Sequence, residues 1–385
     1  MNGTLFSSTH PPIPHSLEDD PFDCLRLLRS RRVGPATYRR LLNEHGSALG
    51  ALEALPEIAA AAGVTGYEIC PKGVVAAEMK AARAKGARLL LTGQPDFPEM
   101  LYDLMDAPAA LWAIGNIALL QTPMIALVGA RNASSLGTRM AKRLATDLKA
   151  DGYTIVSGLA RGIDASAHVG ATASGTVAVL AGGVDVVYPR ENQSLYADIC
   201  GAGLCLSEMP MGTGPQARHF PARNRIVAGL SRAVVVIEAA AKSGSLITAR
   251  NALDQGRDVL AVPGHPFDAR SAGCNILLRE GATLVRHAGD VTAALAPISG
   301  PDAPIKTVPS AISTAPRPPV NLRKVADLHS RILDRLGPSP LAEDQLIRDL
   351  KMPAAEAAPA LVTLELEGEI TRQPGGLLSR TASGN

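Results

Sequence analysis

Between residues 87 and 296, short apolar runs alternate with helical segments, and this alternation constrains the fold more than any other feature of the sequence. Nearly every residue in these runs is apolar, as expected for strands that are covered on both faces. Strands that alternate with helices predict βαβ units. We therefore expect an α/β domain with an extended Rossmann-like, doubly wound and mostly parallel sheet. The predicted strands lie in MIALVGA, YTIVSGLA, TVAVLAGG, GLCLSEM, AVVVIEAA and DVLAVPG.

Four other segments flank this predicted sheet domain. Residues 1–20 are rich in Pro, His and Ser and are predicted to form a disordered tail, and residues 297–320 form a Pro-rich linker. Residues 21–86 contain short helical patterns that Gly and Pro separate, which predicts a small helical domain. Residues 321–385 contain three helical patterns and a hairpin with a Gly-Gly turn. This last order of elements predicts a winged-helix domain.

Charge and cysteine usage restrict the classes of protein to consider. The net charge is only +2, so affinity for nucleic acid must come from local clusters of basic residues. The five cysteines are scattered, without a CxxC pair or His partners at zinc spacing, which favours a reduced, cytoplasmic compartment and predicts no metal site. No apolar stretch approaches the roughly 18 residues of a membrane span, and the N terminus lacks a signal-peptide pattern. We expect no membrane partner.

Four strand-to-helix junctions carry unusual residues at the sheet edge where ligands bind in open parallel sheets. The first junction combines a guanidinium with backbone N–H groups at the start of a helix, which suits an anion such as phosphate. Glycines elsewhere allow close backbone approach, and an aspartate can orient the following helix. The candidate residues are Gly129 and Arg131 in GARNASSLG, Ser157, Gly158, Gly162 and Asp164 in SGLARGID, Arg190 and Asn192 in YPRENQ, and Lys242, Ser243, Gly244 and Ser245 in AAKSGS.

Familiar catalytic and cofactor motifs are missing from these junctions. GARNASSLG does not match the G-x-G-x-x-G of dinucleotide sites, and the sequence contains neither a P-loop nor a G-x-S-x-G elbow. The nearby histidines, His168, His219 and His265, have no evident Ser or Cys partner. These observations favour a binding surface without a catalytic centre and without a cofactor.

The junction motifs, in this order, resemble the DNA-processing protein A (DprA/Smf) family. The resemblance implies an N-terminal helical domain of helix-hairpin-helix or SAM-like type, a Rossmann-like core and a C-terminal winged helix. It also implies a cytoplasmic homodimer that catalyses no reaction, binds single-stranded DNA during natural transformation and loads RecA recombinase onto it. The motifs are GAR at 129–131, SGLARGID at 157–164, GGVDVVYPRENQSLY at 182–196, LSEMPMG at 206–212, FPARNRIVAGLS at 220–231 and EAAAKSGSLITARNALDQGRDVLAVPG at 238–264.

The same resemblance directs attention to the basic segment FPARNR beside Arg131. We expect Arg223 and Arg225 to contact phosphates, Asn224 to bond the DNA backbone or a base edge, and Phe220 to offer a stacking face. The open alternative is that one of these arginines forms a salt bridge with Glu208 or Glu238 inside the domain. Because aromatic residues make up only 3% of the chain, contacts with the DNA backbone should dominate over base stacking.

Two alternative functions use the same phosphate-binding turns. One is a nucleotide-processing enzyme of the phosphoribohydrolase (lysine-decarboxylase-like) type, but EAAAKSGSLITAR departs from the PGGxGTxxE signature of such enzymes. The other is a nucleotide sensor that regulates through its winged helix. In the N-terminal domain, the Gly-Pro turn of RRVGPATYRRLL either assists DNA binding weakly or belongs to a solvated basic helix face, and the sequence leaves both open. The acidic third helix near the C terminus predicts a protein contact or a structural role.

Overall fold

A computed structural model shows two compact units, residues 1–299 and 300–385. The predicted tail, apart from Asp20, and the predicted linker lie outside the described residues. Within the residues described, no helix is long and apolar enough to cross a membrane. The described residues are 20–172, 175–296, 322–336, 341–350, 352–353, 357, 360–361, 363–365, 369–373 and 377–381.

The first unit begins with a helical region. Asp20 caps the first helix by accepting a hydrogen bond from the backbone N–H of Phe22. Sequence patterns predicted the first three helices but not the fourth, whose buried Glu78 accepts hydrogen bonds from Arg29 of the first helix and from Trp112. These helices are α1 (Pro21–Arg29), α2 (Pro35–His45), α3 (Ala48–Ala61) and α4 (Lys72–Ala84).

A nine-stranded sheet forms the centre of this unit, in the order β1-β2-β6-β5-β4-β3-β7-β8-β9. The seven strands from β6 to β9 in this order are parallel, whereas β2 pairs antiparallel with both β1 and β6. The predicted mostly parallel α/β fold is therefore confirmed. The strands are β1 (Arg88–Leu91), β2 (Ala110–Gly115), β3 (Met124–Val128), β4 (Thr154–Ser157), β5 (Thr176–Val179), β6 (Leu204–Ser207), β7 (Ala233–Val236), β8 (Asp258–Ala261) and β9 (Thr283–Leu284).

The strand order reverses at β3, which has β4 on one side and β7 on the other. From β3 the chain builds the sheet outward through β4, β5 and β6, and β7 then starts the opposite half. Ligands of doubly wound sheets bind in the crevice outside the carboxyl ends of the strands at such a switch point. The fold therefore directs attention to the turns that follow β3, β4 and β7.

Helices cover both faces of the parallel sheet, and alternate residues of β3 show how. Ile125 and Leu127 pack against one helical layer, and Ala126 and Val128 pack against the other. This two-sided burial explains why the strand sequences are apolar without alternation. α5, α6 and α11 contribute to the first layer and α8, α9 and α10 to the second. The helices are α5 (Ser135–Ala150), α6 (Ile163–Ala171), α7 (Gln193–Ala202), α8 (His219–Gly229), α9 (Ser245–Asp254), α10 (Ala272–Arg279) and α11 (Ala288–Leu295).

The second unit has the helices and the hairpin of a winged helix. Buried Ile332, Leu346, Leu361 and Leu378 form its small core. The predicted acidic third helix is only partly among the described residues, and its role stays a prediction. The elements are α12 (Leu322–Arg335), β10 (Leu341–Ala342), α13 (Glu343–Leu350), β11 (Ile370–Gln373) and β12 (Leu377–Arg380), with the strands in the order β10-β12-β11.

Candidate functional site

A cavity of about 630 Å³ opens at the switch point, outside the carboxyl ends of β3, β4 and β7. Most of the residues predicted from the strand-to-helix junctions line it. Sequence reasoning missed Asn132, Thr248 and Arg270; the last of these follows β8, so the rule that ligands bind at carboxyl ends applies to it as well. The predicted residues that line this first cavity are Gly129, Arg131, Gly158, Asp164, Phe220, Arg223, Asn224, Lys242, Ser243, Gly244 and Ser245.

Arg131 is the exposed cation of the turn after β3. Its guanidinium carbon lies 5.0 Å from the centre of the Phe220 ring, which belongs to the first turn of α8. Electrostatic attraction holds an arginine over an aromatic face, and the N–H groups at the edge of the guanidinium stay available to other partners. The turn after β3 and the start of α8 therefore present a guanidinium and a ring together at the mouth of the cavity.

At the start of α5, two backbone N–H groups that the sequence predicted to be free in GARNASSLG already have hydrogen-bond partners. The carboxylate of Glu238, which follows β7, accepts hydrogen bonds from the backbone N–H of Ser134 at 2.9 Å and from the Ser134 hydroxyl. That hydroxyl in turn accepts from the N–H of Gly137 at 2.9 Å. The N–H groups of Ser134 and Gly137 therefore already have partners within the protein, and phosphate binding by this turn stays a prediction.

The other rim of the cavity is formed by the start of α9. Lys242 is exposed there, and the hydroxyls of Ser243 and Ser245 lie 2.7 Å apart in a hydrogen bond. Hydroxyls can donate to an incoming acceptor or accept from an incoming donor. This rim therefore offers an ammonium and neutral polar groups to an anion that enters the cavity.

Arg223 lies on the cavity floor and is 7% exposed. Its Nη1 donates hydrogen bonds to the carbonyl oxygens of Gly158, after β4, and Val179, at the end of β5. Burial, together with the positive charge of Arg131, lowers the pKa of Arg223 to about 10, which keeps it charged near neutral pH. Arg223 joins the ends of two neighbouring strands, and its predicted contact with DNA stays a prediction.

Asp164 in α6 lies close to this guanidinium and holds the same turn from the other side. Its carboxylate accepts from the backbone N–H groups of Gly158 at 3.2 Å and Ala160 at 3.4 Å. Burial raises the pKa of Asp164, and the positive charge of Arg223 opposes that shift. The turn from Gly158 to Ala160 is thus held at the Gly158 carbonyl by Arg223 and at its N–H groups by Asp164.

Arg225 does not line the cavity. Its Nη2 donates to both carboxylate oxygens of Glu208 at 2.8 and 2.7 Å, and its Nε lies 3.0 Å from a carboxylate oxygen of Asp106. The side chain is only 12% exposed. The structure therefore shows the internal salt bridge considered above, and it gives no support to a DNA contact by Arg225.

Four further predicted residues lie outside the lining of the first cavity, and the first three of them shape it through contacts with its turns. The Ser157 hydroxyl donates to the carbonyl of Leu127 at 2.7 Å. Gly162 has φ 76°, and a side chain there would overlap the carbonyl of Ala130. The Asn192 side chain donates to the carbonyl of Leu159 at 2.9 Å. Arg190 is exposed in the short 3₁₀ turn Arg190–Asn192.

A second cavity of about 280 Å³ adjoins the first. Arg131, Gly158, Ala160 and Phe220 line both cavities. The second one also has Arg161, Tyr188, Pro189 and Glu191 in its lining. Tyr188 and Pro189 belong to the third predicted junction, but none of the four was among the predicted contact residues. Among the described residues, no group of three or more His, Cys, Asp or Glu side chains could hold a metal ion.

Comparison with protein families gives three matches along the chain. The family described as DNA recombination-mediator protein A matches residues 88–296. A DprA-like N-terminal HHH domain matches residues 18–81, and a DprA winged helix domain matches residues 313–376. The central match covers both cavities described above.

Individual proteins and structures show the same similarity. The chain is 34% identical to Protein Smf from Synechocystis over 76% of this chain and 79% of that protein. It is 46% identical to DNA processing protein DprA from Streptococcus pneumoniae over 51% of this chain and 70% of that protein. An X-ray structure of the Streptococcus pneumoniae protein superposes with TM-score 0.61 at 34% identity, covering 71% of this chain and 98% of that one. A structure that describes the single-stranded DNA binding mode of DNA processing protein A from Helicobacter pylori superposes with TM-score 0.51 at 31% identity, covering 54% of this chain and 95% of that one.

Proposed function

Because this chain belongs to the DNA recombination-mediator protein A family, we propose that it binds single-stranded DNA in the first cavity. The relative from Helicobacter pylori, which has a described single-stranded DNA binding mode, supports the choice of ligand. The chain then acts as a binding protein and catalyses no reaction. The cavity at the carboxyl ends of β3, β4 and β7 is the proposed binding site for single-stranded DNA.

The observation that carries this proposal is the concentration of positive charge in the first cavity. The whole chain has a net charge of only +2. The cavity lining nevertheless has four cations, Arg131, Lys242, Arg223 and Arg270, against the carboxylate of Asp164 in the lining and that of Asp268, which is paired with Arg270. Clustered cations beside a chain of phosphates lower the free energy of binding by releasing condensed counterions.

Arg131 and Lys242 are the proposed phosphate contacts, since both are exposed and line the cavity. The hydroxyls of Ser243 and Ser245, which also line the cavity, can donate hydrogen bonds to oxygens of the same phosphates. Phe220 offers the base next to Arg131 a ring face, although that ring is already partly covered by the guanidinium. Most of the binding free energy then comes from the DNA backbone, and the dependence on base sequence is weak.

The wider role that family membership suggests is part of the same proposal. We propose that the chain acts in the cytoplasm as a homodimer, on DNA that enters during natural transformation, and loads RecA recombinase onto the bound strand. Adding the chain to RecA on single-stranded DNA should accelerate the DNA-dependent ATPase of RecA. An unchanged rate would remove the loading step from the proposal and leave the binding step.

The test is fluorescence anisotropy with a labelled single strand and its duplex at several salt concentrations. We compare the wild type with Arg131→Ala and Lys242→Ala, and use Arg232→Ala as the matched control. Arg232 is exposed but precedes β7, at the opposite edge of the sheet. We expect the wild type to prefer the single strand, the two cavity variants to bind weakly and the control to bind normally.

The salt dependence gives an independent readout of phosphate contacts. Each lost contact should reduce the slope of log K against log salt by about 0.7 for a single strand. A flat salt response of the wild type would contradict the proposal. Absence of DNA binding together with micromolar binding of a mononucleotide would favour the nucleotide sensor instead.

A further inference from the structure

Two cysteines of the first unit lie in contact, and neither lines the first or the second cavity. The sulfur of Cys200, in the last turn of α7, is 3.6 Å from the sulfur of Cys205, in β6. The S–S bond of a disulfide measures about 2.05 Å, so the two sulfurs would have to approach each other by about 1.5 Å to form one. The two thiols are therefore close enough for a bond that small local movements can close.

The surroundings of the two cysteines are unequal. Cys205 is fully buried in β6, where it pairs with Ile114 of β2 on one side and with Ala178 of β5 on the other. Cys200 belongs to the end of a helix and is partly exposed. We therefore expect Cys200 to make the approach, through rotation of its side chain and a small shift of the helix end. Its exposure also admits a small reagent from solution.

The two thiols also differ in the ease with which they ionise. The hydrogen bond between the sulfurs lowers the pKa of Cys200 below its ordinary value against the opposing effect of burial, and the Tyr196 hydroxyl adds to the lowering. The same hydrogen bond, together with burial, raises the pKa of Cys205. Because the thiolate is the reactive form of cysteine, Cys200 is the nucleophile of the pair. Elsewhere, burial raises the pKa of Cys274 to about 12, which keeps that thiol inert.

We propose that Cys200 and Cys205 form a redox site that a hydroperoxide converts reversibly into a disulfide. First, the Cys200 thiolate attacks one oxygen of hydrogen peroxide, the O–O bond breaks and Cys200 becomes a sulfenic acid, while the released hydroxide takes up a proton as water. The Cys205 sulfur then attacks the Cys200 sulfur, the S–O bond breaks, and hydroxide leaves with the Cys205 proton as water. Two electrons pass from the sulfurs to the peroxide, and a dithiol reductant restores both thiols by exchange.

The neighbouring thiol gives this site a property that a single cysteine lacks. A sulfenic acid without a nearby thiol is open to further, irreversible oxidation to sulfinic acid, whereas condensation with a thiol stops the oxidation at a reversible stage. Cys205 lies against Cys200 and is closed to solvent, so it is placed to react with the Cys200 sulfenic acid and not with the peroxide itself. The disulfide joins the end of α7 to the interior of the sheet. This inference does not depend on DNA binding.

The experiment uses the full chain, reduced and then freed of reductant, and an equimolar amount of hydrogen peroxide. The remaining thiols are alkylated after unfolding, and a tryptic digest is analysed by mass spectrometry. No lysine or arginine lies between Cys200 and Cys205, so residues 191–218 form one peptide that contains both. We compare the wild type with Cys200→Ser and Cys205→Ser. Cys274→Ser is the matched control, because the Cys274 Sγ lies 3.6 Å from the carbonyl oxygen of Val236 and a serine hydroxyl can donate to the same oxygen.

We expect the wild type and Cys274→Ser to lose two alkylatable thiols per chain, with a peptide 191–218 lighter by two hydrogen atoms, and to regain both thiols with a dithiol reductant. Cys205→Ser should stop at a Cys200 sulfenic acid that dimedone traps, and Cys200→Ser should keep all its thiols. A wild type that keeps all five thiols, or that forms a disulfide between two chains on a non-reducing gel, would overturn the inference. The wild-type peptide alone decides the test if a variant does not fold.

Discussion

The guanidinium of Arg223 fills the space that a side chain on Gly158 would need. A Cβ built on Gly158 would overlap Nη1, Cζ and Nη2 of Arg223, and the same Nη1 donates to the Gly158 carbonyl. Glycine at this position is therefore required by close packing against a buried cation. The shape of the first cavity depends on this contact, since both residues line it.

Replacing Gly158 with alanine should destabilise the protein and weaken DNA binding together. Overpacking at a buried contact costs typically about 1–3 kcal/mol, and the displaced arginine would also leave its carbonyl partners. Urea unfolding and anisotropy measure the two effects. Gly201→Ala is the control, because Gly201 lies within α7 and a Cβ there meets nothing within 4 Å. Equal stabilities of Gly158→Ala and Gly201→Ala would contradict the packing argument.

Replacing Arg223 with lysine separates a positioning role from a direct phosphate contact. Lysine retains the charge, but its stem is shorter and it lacks the planar guanidinium, so its ammonium cannot occupy the position of Nη1 beside the carbonyls of Gly158 and Val179, and the bond from Nε to Asn224 is lost. Each buried carbonyl left without a partner costs about 1–3 kcal/mol. We expect lower stability and weaker DNA binding with an unchanged salt slope. If the stability is retained while the slope falls as in Arg131→Ala, Arg223 contacts phosphate directly.

Replacing Arg225 with methionine should affect stability and leave DNA binding intact. The change leaves the carboxylate of Glu208, whose side chain is only 18% exposed, without its cation. Removing one partner of a buried pair costs roughly 3–5 kcal/mol. Adding Glu208→Gln to the same variant should recover part of that loss. Chemical denaturation of the single and double variants measures this, and a single variant with normal stability and weak DNA binding would contradict it.

His168 should make the stability of the fold sensitive to acid. Its Nδ1 lies 2.9 Å from the Thr176 hydroxyl, and burial, aided by the charge of Arg223, lowers the pKa of His168 from 6.5 to about 3. The neutral ring therefore contributes stability that is complete above pH 6.5 and is lost as the pH falls toward 3. Between these values the slope should be about 1.4 kcal/mol per pH unit for this one proton.

Measurement of the free energy of unfolding at several pH values between 4 and 7 checks the role of His168. In a His168→Gln variant, the slope of the unfolding free energy against pH should be smaller than in the wild type by the contribution of this one proton. The NMR signal of the His168 ring should also show no titration between pH 7 and 4. A ring that titrates near pH 6.5 in the folded protein would contradict the prediction.

The sequence predicted most of the central sheet because its signals are local. Strands β3 to β8 are continuous apolar runs, and the turns after them carry the glycines and charges that line the first cavity. The missed strands lack such signals: β9 has two exposed residues, and β1 and β2 form an antiparallel pair outside the βαβ pattern. Arg131 was found because it follows β3 directly.

The different fates of Arg223 and Arg225 could not be predicted from the same local signals. Both belong to α8, where a step of two residues rotates the side chain by about 200° around the helix axis. The two side chains therefore point to nearly opposite sides of the helix. One therefore faces the cavity, and the other faces Glu208 and Asp106. Tyr188 was not predicted as a contact residue, because neither its exposure nor its contact with Phe220, a residue of another junction, is visible in a single motif.

The carboxylate of Glu238 at the start of α5 has a consequence for ligand selection. It acts as an internal counterion for the helix end, which lowers the binding free energy that a free phosphate or nucleotide could gain there. Such a ligand reaches only one or two of the cations that line the first cavity, in competition with the salt of the cell. A polymer engages several of these charges together, and its affinity grows with each one. If the first cavity binds single-stranded DNA as proposed, this arrangement favours a long chain of nucleotides over its abundant monomers whatever the base sequence.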